Sequence, residues 1–233
     1  MTISVVMPTL NEERVLPVTL LRAAATLVDE VIVVDGGSHD RTREIVTDCC
    51  TSHRSPPRIT LLTAAAGRAR QMNAGAAAAQ GEVLLFLHAD TRLPGDARQA
   101  IEQALDDPMC VGGRFDVRFE QDSGLGRLVA RLMNLRSRWT GIATGDQAVF
   151  VRRRVFEELG GFSDIPIMED VDFASRLKRA GQVAALQSQV VTSYRRWSTR
   201  GAVRTIVLMW ALRFLYWLGV SPQRLSHLYG IVR

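Results

Sequence analysis

The chain has 233 residues with 47% hydrophobic composition, enough for one large core, and its three cysteines form neither a pairing framework nor a C-x-x-C metal spacing. The formal net charge is +5, but no Asp or Glu follows Asp172, whereas ten Arg and Lys side chains lie between Arg176 and Arg233. These features exclude a disulfide-stapled domain and a cysteine zinc site, and they indicate that the C-terminal part faces an anionic partner.

Strand and helix patterns alternate along the first part of the chain. Strands are predicted at residues 3–7, 31–34 and 59–62, and helices at residues 13–28 and 40–50. The strands are apolar runs without polar alternation, which is typical of strands covered on both faces in a parallel sheet. Because successive βα units imply right-handed crossovers, the sequence predicts an α/β fold with a mostly parallel sheet flanked by helices.

The middle of the chain continues with further strands and helices. Val83 begins an apolar strand that leads to His88 and Asp90, and an Ala-rich helix ends before it near Gly81. The other predicted elements are helices at residues 94–105, 124–138 and 169–180 and strands at residues 115–119, 147–152 and 183–191. We expect one domain over residues 1–198 and a helical extension over residues 199–233.

The extension, residues 199–233, contains a stretch that is apolar on all sides except for Arg204 and Arg213. A helix without a polar face must be covered. Its uninterrupted part, residues 205–218, is about 21 Å long at about 1.5 Å per residue, shorter than the roughly 30 Å hydrocarbon layer of a bilayer. We therefore expect a helix that packs on the domain, forms a homodimer or lies at a membrane surface. Met1 leads directly into a strand without a secretory signal pattern, which favours a cytoplasmic location, at the inner face of the membrane if the extension binds lipid.

Acidic residues follow three of the predicted strands. Glu12, Asp35 and Asp90 lie just beyond the carboxyl ends of the strands that begin near residues 3, 31 and 83. Ligands bind at this edge in open α/β sheets, so the sequence predicts a ligand site there. The alternative is that these acids serve only as turn and helix-capping residues.

Five motifs occur in order: PTLNEE, VVDGGSHD, GRARQMNAG, FLHADT and, about eighty residues later, MEDVDF. Together they resemble the inverting family 2 glycosyltransferases, which have a Rossmann-like GT-A fold, and the resemblance runs from residue 3 to about residue 180. The HAD triplet and the RRW near the end are also similar to a small bacterial subgroup found beside radical-SAM and selenium-related genes. The resemblance implies an enzyme that moves a sugar from a UDP- or GDP-linked donor to an acceptor hydroxyl.

The resemblance implies that the first three motifs bind the nucleotide-sugar donor. A carboxylate such as Asp35 suits the base or ribose because it accepts hydrogen bonds from N–H and hydroxyl groups. Gly36 stands where the family often has a second acid. The nucleoside of the donor can therefore be either uridine or guanosine. The arginines after the third strand suit the diphosphate, because a guanidinium group pairs with phosphate oxygens in a bidentate way. The alternative is that these arginines are ordinary solvated surface residues. The residues assigned in this way are Pro8, Thr9, Glu12, Asp35, Arg68 and Arg70.

The resemblance also implies a divalent metal, Mg²⁺ or Mn²⁺, at Asp90, the last acid of the family's D-x-D element. Such a cation keeps several water and phosphate ligands, so one protein carboxylate can suffice. His88 replaces the first acid. Its imidazole could contact the ribose or phosphate, or favour Mn²⁺, or simply pack at the strand end.

The MEDVDF motif matches the family's catalytic pair, in which Asp170 is the general base and Glu169 orients the loop or the acceptor. Inversion requires in-line attack, so the base must lie across the anomeric carbon from the leaving diphosphate. The alternative is that the two acids only complement a helix dipole. The other positions that the resemblance assigns to the acceptor side are Asp146, Arg196 and Trp197.

Two other functions fit parts of the sequence. A sugar-phosphate nucleotidyltransferase would use a similar sheet, but such enzymes usually have a Gly-rich basic loop where this chain has PTLNEE. A non-catalytic scaffold that binds nucleotide sugars or membranes is suggested by His88 and Gly36. We expect a small-molecule or lipid-linked acceptor and no nucleic-acid partner.

Overall fold

The computed structural model describes residues 1–26, 28–52, 57–121, 124–194 and 201–230. Within these residues eight strands form one sheet in the order β3-β2-β1-β4-β7-β6-β8-β5. Their bounds are β1 Ile3–Thr9, β2 Glu30–Asp35, β3 Arg58–Thr63, β4 Val83–Phe86, β5 Thr91–Arg92, β6 Cys110–Phe119, β7 Val149–Arg152 and β8 Gln182–Thr192.

The half of the sheet that contains β1 to β4 is parallel, as the sequence predicts. Strand β7 runs antiparallel to both β4 and β6, β6 and β8 are parallel, and β5 is antiparallel to β8. The predicted fold class, an α/β domain with a mostly parallel sheet flanked by helices, is therefore confirmed.

Strand β5 forces the sheet to curl. It is the neighbour of β8 at one edge of the sheet, yet only four residues separate it from β4 in the middle. A segment of that length spans at most roughly 18 Å when fully extended. The edge formed by β8 and β5 therefore bends back towards β4, and the main chains meet where Ser193 N donates a hydrogen bond to Asp90 O over 3.2 Å.

Alternate residues of the central strands face two apolar clusters on opposite sides of the sheet, because side chains alternate along a strand. Val5 and Leu85 belong to the cluster under α1 and α4. Val6 and Leu84 belong to the cluster under α3 and α7. The described helices are α1 Leu16–Ala25, α2 Thr42–Ser52, α3 Arg68–Ala78, α4 Ala97–Leu105, α5 Gly124–Thr140, α6 Arg153–Glu158, α7 Glu169–Ala180, α8 Ala202–Trp217 and α9 Pro222–Gly230.

Helix α1 is shorter than its predicted span of residues 13–28. The carbonyl of Glu12 accepts hydrogen bonds from Val15 N and Leu16 N, so these residues form a turn before the helix. Helix α3 lies close to the sheet, because a Cβ at Gly75 would overlap Val6 and Val34.

The two C-terminal helices, α8 and α9, pack on the domain. Leu212 of α8 and Leu225 of α9 are buried against Met168, which immediately precedes α7. Within the described part of the chain, every helix falls short of the length and apolar character that a bilayer-spanning helix requires.

Candidate active site

The ends of β1 and β2 lie side by side, with Thr9 paired to Asp35 in the register. Asp35 is fully buried. Its Oδ2 accepts hydrogen bonds from Gly37 N and Ser38 N, both at 3.0 Å, and its Oδ1 accepts one from the Ser38 hydroxyl. The carboxylate thus fixes the turn after β2. Asp35 therefore serves as a turn residue, whether or not it also binds a ligand.

Gln71 on α3 joins the same two strand ends and was not singled out by the sequence. Its buried Nε2 donates hydrogen bonds to Thr9 O and Val34 O, both at 2.8 Å. A Cβ at Gly36 would lie only 3.0 Å from the Gln71 amide group. Because Gln71 occupies that space, an acid at position 36 would require Gln71 to move, which is a physical reason for the glycine.

The loop after β1 is tied to the loop after β2. Asn11 has a left-handed backbone with φ of 56°. Its N–H donates to the Ser38 hydroxyl and its Oδ1 accepts from His39 N, both at 2.9 Å. Glu12 N donates to Thr42 Oγ1 at 2.8 Å. Both predicted pocket residues of this segment, Pro8 and Glu12, are half-buried at this rim.

The two arginines at the start of α3 have different surroundings. Arg68 Nη1 lies 3.1 Å from Glu169 Oε1, and the Glu169 side chain is 4% exposed. Burial raises the pKa of Glu169 and Asp170 adds to this, while the charge of Arg68 opposes it. Arg70 instead pairs with Asp164 at 2.9 Å, and both of these side chains are exposed. Arg68, whose side chain is 42% exposed, therefore reaches from the surface to a buried acid, whereas Arg70 pairs with an exposed one.

Asp170 at the start of α7 is held by main-chain donors. Its Oδ2 accepts a hydrogen bond from Gly145 N and its Oδ1 accepts one from Val171 N, both at 2.8 Å. A small cavity beside it is lined by Arg68, His88 and Gly145 among others. These two hydrogen bonds fix the orientation of the half-buried Asp170 carboxylate at the wall of this small cavity.

His88 faces the turn of residues Gly145–Gln147. Its Nδ1 is 3.2 Å from Asp146 Oδ1, and its imidazole is 14% exposed. Its buried Nε2 has no hydrogen-bond partner among the described residues and lies so close to Gly145 that a Cβ there would overlap it. His88 thereby connects the end of β4 to the turn that holds Asp170.

Asp90 lies half-buried between β4 and β5, where Thr91 Oγ1 is 3.4 Å from its Oδ1. Among the described residues, no group of three or more His, Cys, Asp and Glu side chains is close enough together to hold a metal ion. Asp90 offers one carboxylate, and a hard cation bound there would need to take its other oxygen ligands from a bound diphosphate and water.

A residue with a left-handed backbone directly precedes Glu169 and Asp170. Met168 has φ of 70° and is buried against α8 and α9. Such a backbone costs about 1 kcal/mol or more in a non-glycine residue and persists only when surrounding packing enforces it. Asn73 of α3 braces the chain six residues before Met168, because its Nδ2 donates to Phe162 O and its Oδ1 accepts from Phe162 N.

The structure thus brings the predicted residues into two neighbouring groups, one at the ends of β1 and β2 and one around the start of α7. Arg196 and Trp197 lie outside the described residues. The first group contains Pro8, Thr9, Glu12 and Asp35, and the second contains Arg68, His88, Asp146, Glu169 and Asp170.

Comparison with known proteins agrees with the family resemblance of the sequence motifs. A family model described as "Glycosyl transferase family 2" matches residues 4–160. Undecaprenyl-phosphate 4-deoxy-4-formamido-L-arabinose transferase of Pseudomonas aeruginosa (strain UCBPP-PA14) is 32% identical over 158 residues, which cover 64% of this chain and 46% of that protein. The protein of the same name from Aeromonas hydrophila is 30% identical over 156 residues, which cover 64% of this chain and 48% of that protein. The chain spans about half the length of the curated relatives it matches.

Solved structures share the fold at low sequence identity. S. aureus TarS 1-349 in complex with UDP-GlcNAc has a TM-score of 0.65 at 18% identity, covering 83% of this chain and 58% of that chain. The mannosyltransferase PcManGT from Pyrobaculum calidifontis, in complex with GDP-Man and Mn²⁺, has a TM-score of 0.64 at 22% identity, covering 81% and 56%.

Proposed function

This chain belongs to glycosyl transferase family 2, and from that premise we propose that it transfers a sugar, with inversion, from a UDP- or GDP-linked donor to an acceptor hydroxyl. The observation that carries the proposal is the oriented carboxylate of Asp170, which adjoins the strand edge where a nucleotide would bind. The finer resemblance to the subgroup found beside radical-SAM genes remains a prediction of the sequence.

Asp170 is proposed as the general base. Its two carboxylate oxygens already accept hydrogen bonds from main-chain N–H groups, so the carboxylate is held in place before the acceptor arrives. It accepts the proton of the acceptor hydroxyl as that oxygen attacks the anomeric carbon from the side opposite the leaving diphosphate. Glu169, paired with Arg68, fixes the first turn of α7 and with it the position of Asp170.

The donor is proposed to lie along the ends of β1 and β2. Thr9 and Asp35 adjoin there, and the half-buried Pro8 and Glu12 form the rim. Arg68 and Arg70 at the start of α3 would face the diphosphate and stabilise the charge that grows on it during transfer. His88 follows β4 and lies 3.2 Å from Asp146, and it is proposed to help hold Asp146 on the acceptor side.

A divalent cation is proposed at Asp90, where it would neutralise charge on the leaving diphosphate. The cation is Mg²⁺ or Mn²⁺, since oxygen ligands suit both. Asp90 is proposed as its protein ligand, a half-buried carboxylate in the short segment between β4 and β5. The mannosyltransferase neighbour contains Mn²⁺ together with its GDP-linked sugar, which supports the assignment.

Donor binding is the direct test of this function. We expect UDP or GDP, with the matching nucleotide sugar, to raise the melting temperature in the presence of Mn²⁺, because a ligand that binds only the folded state stabilises it. Asp90→Asn should weaken the Mn²⁺-dependent part of this binding by about tenfold or more, in line with the loss of a charged ligand of roughly 1.5 kcal/mol or more. Glu102→Gln, a change on α4, serves as the control. A chain that binds neither nucleotide, with or without metal, would contradict the proposal.

The acceptor is proposed to be carried by a lipid, and the protein to contact an anionic membrane surface. The relatives are named for undecaprenyl-phosphate, a lipid. Helices α5 and α8 meet through Ile206, and neither contains an acidic residue. Such basic helices with aromatic and leucine side chains bind at the interface of anionic membranes. The exposed apolar side chains on these helices are Leu125, Leu128, Leu132, Leu135, Trp139, Val207, Trp210, Phe214 and Trp217.

Flotation with vesicles tests the membrane contact. The full chain is expected to float with vesicles rich in phosphatidylglycerol and less with phosphatidylcholine vesicles, because its basic helices are attracted to anionic headgroups. The double change Trp210→Gln and Trp217→Gln should reduce flotation several-fold, since both side chains are exposed and aromatic.

A matched control is available on a different helix, α1. Leu21 on α1 is 65% exposed, close to the 64% of Trp210. Leu21→Gln should float like the unaltered chain. Equal flotation of the tryptophan variant, or self-association through α8 without lipid binding, would exclude the membrane contact and favour a homodimer.

A further inference from the structure

Two arginines on different helices have buried guanidinium nitrogens without partners. Arg136 lies on α5 and Arg213 on α8. Buried Nε and Nη2 of Arg136 and Nε of Arg213 form no hydrogen bond with any residue that the structure describes. Leaving a charged donor buried and unpaired costs folding free energy. A group retained at such a cost calls for an explanation.

The two guanidinium groups are close enough to influence each other. Burial and the charge of Arg213 lower the pKa of Arg136 to about 10, and the charge of Asp170 acts in the opposite direction. Burial also lowers the pKa of Arg213, while Asp170 and Asp146 act to raise it. Both guanidinium groups therefore lie within electrostatic reach of the Asp170 carboxylate.

Arg114, the arginine that is buried most fully among the described residues, has its guanidinium group paired. Arg114 in β6 is almost fully buried and contacts Asp116, whose other oxygen lies 2.7 Å from Arg138 Nη2. This network has a carboxylate between its two guanidinium groups. Arg136 and Arg213 have no such anion among the described residues.

We propose that Arg136 and Arg213 bind a phosphate monoester group of the acceptor and so hold the acceptor hydroxyl at Asp170. This inference rests on the proposed glycosyl transfer and names the chemical class of its acceptor. A phosphate dianion offers several oxygens to two guanidinium groups, and charge-assisted hydrogen bonds of this kind are among the strongest in proteins. The like charges of the two arginines then become favourable, because the ligand lies between them.

Binding of four probes tests the subsite and distinguishes its sources. The probes are inorganic phosphate, glycerol 3-phosphate as a soluble monoester, farnesyl phosphate in micelles as a lipid monoester, and farnesol as its phosphate-free control. We expect the phosphates to raise the melting temperature and farnesol to have no effect. Preference for farnesyl phosphate over glycerol 3-phosphate identifies a lipid source, and the reverse identifies a soluble one.

Arg136→Gln and Arg213→Gln should each weaken phosphate binding by about tenfold or more, the loss of one charge-assisted interaction. Without ligand, each variant should melt at the same temperature as the unaltered chain or higher, because an unpaired buried charge has been removed. A purely structural role predicts the opposite, a lower melting temperature. Arg131→Gln, an exposed arginine on the same helix, is the matched control and should keep full affinity.

Nucleotide binding separates failure of the subsite from failure of the glycosyltransferase assignment. If UDP or GDP binds but the phosphate probes produce no shift, or the Gln variants bind them as tightly as the unaltered chain, the subsite is overturned while the enzyme assignment stands. If the Gln variants lose nucleotide and phosphate together, the arginines belong to the donor site and the inference is also overturned. Loss of all nucleotide binding in the unaltered chain contradicts the proposed function itself.

Discussion

Asp170→Asn is expected to reduce glycosyl transfer by about a thousandfold while nucleotide binding stays within about twofold, because a positioned general base contributes roughly 10²–10⁴ in rate. Asparagine has nearly the same shape as aspartate but only one acceptor oxygen, so it can keep the hydrogen bond from Gly145 N or the one from Val171 N, and not both. It cannot take the acceptor proton. The measurement is single-turnover sugar transfer with saturating donor and acceptor, alongside direct titration of the nucleotide.

Asp172→Asn is the matched control for this change. Asp172 lies two residues later on α7, where its Oδ2 contacts Arg176 and the Ser163 hydroxyl. Its replacement should lower the melting temperature without a comparable loss of turnover. If Asp172→Asn lost as much activity as Asp170→Asn, the effect would come from helix disruption, and retained activity in Asp170→Asn would refute the base assignment.

Much of the fold follows from local patterns in the sequence. The apolar runs of β1, β2 and β4 have no polar alternation because both faces of these strands are buried, and this signal is visible without the structure. Helix α7 was predicted with its observed bounds, since acids open it and Gly181 follows it. Strand β5 has only two residues, and helix α6 has six, so neither contains a recognisable period.

The parts of the site that the sequence did not reveal depend on tertiary packing. Gln71 acts on two strand ends that are 62 and 37 residues away from it in sequence. Arg136 and Arg213 belong to helices whose patterns give no sign that the two side chains converge near Asp170. The curl of the sheet, which places Asp90 beside β8, likewise follows from a pairing between distant segments.

The C-terminal helices illustrate the same limit. The sequence treats residues 199–233 as an extension, yet Leu212 and Leu225 pack on Met168, whose left-handed backbone directs the chain into α7. Side chains of the extension therefore help to enforce a strained residue directly before Glu169 and Asp170. The sequence shows that a helix without a polar face must be covered by other parts of the protein or by a partner. It does not show which loop the helix packs against.

Arg68→Met is expected to destabilise the protein in a pH-dependent way, because Glu169 would stay buried without its cation. Burial already raises the pKa of Glu169, and Arg68 is the main influence that lowers it. Removing Arg68 should therefore raise this pKa further. A carboxyl group whose pKa is higher in the folded state than in the unfolded state favours folding at low pH, and this contribution is lost as the pH rises through the folded-state pKa.

The free energy of unfolding of Arg68→Met should therefore fall by about 2 kcal/mol at pH 8, with a smaller deficit at pH 5. This is less than the roughly 3–5 kcal/mol expected for a fully buried pair, because the Arg68 side chain is 42% exposed and solvent screens part of the interaction. Denaturant unfolding at both pH values measures it, and Glu169→Gln in the same chain should recover most of the loss. Arg70→Met, which breaks the exposed pair with Asp164, should change stability by less than about 1 kcal/mol at either pH. A deficit for Arg68→Met that is equal at pH 5 and pH 8 would show that lost packing, rather than an uncompensated Glu169 charge, causes it.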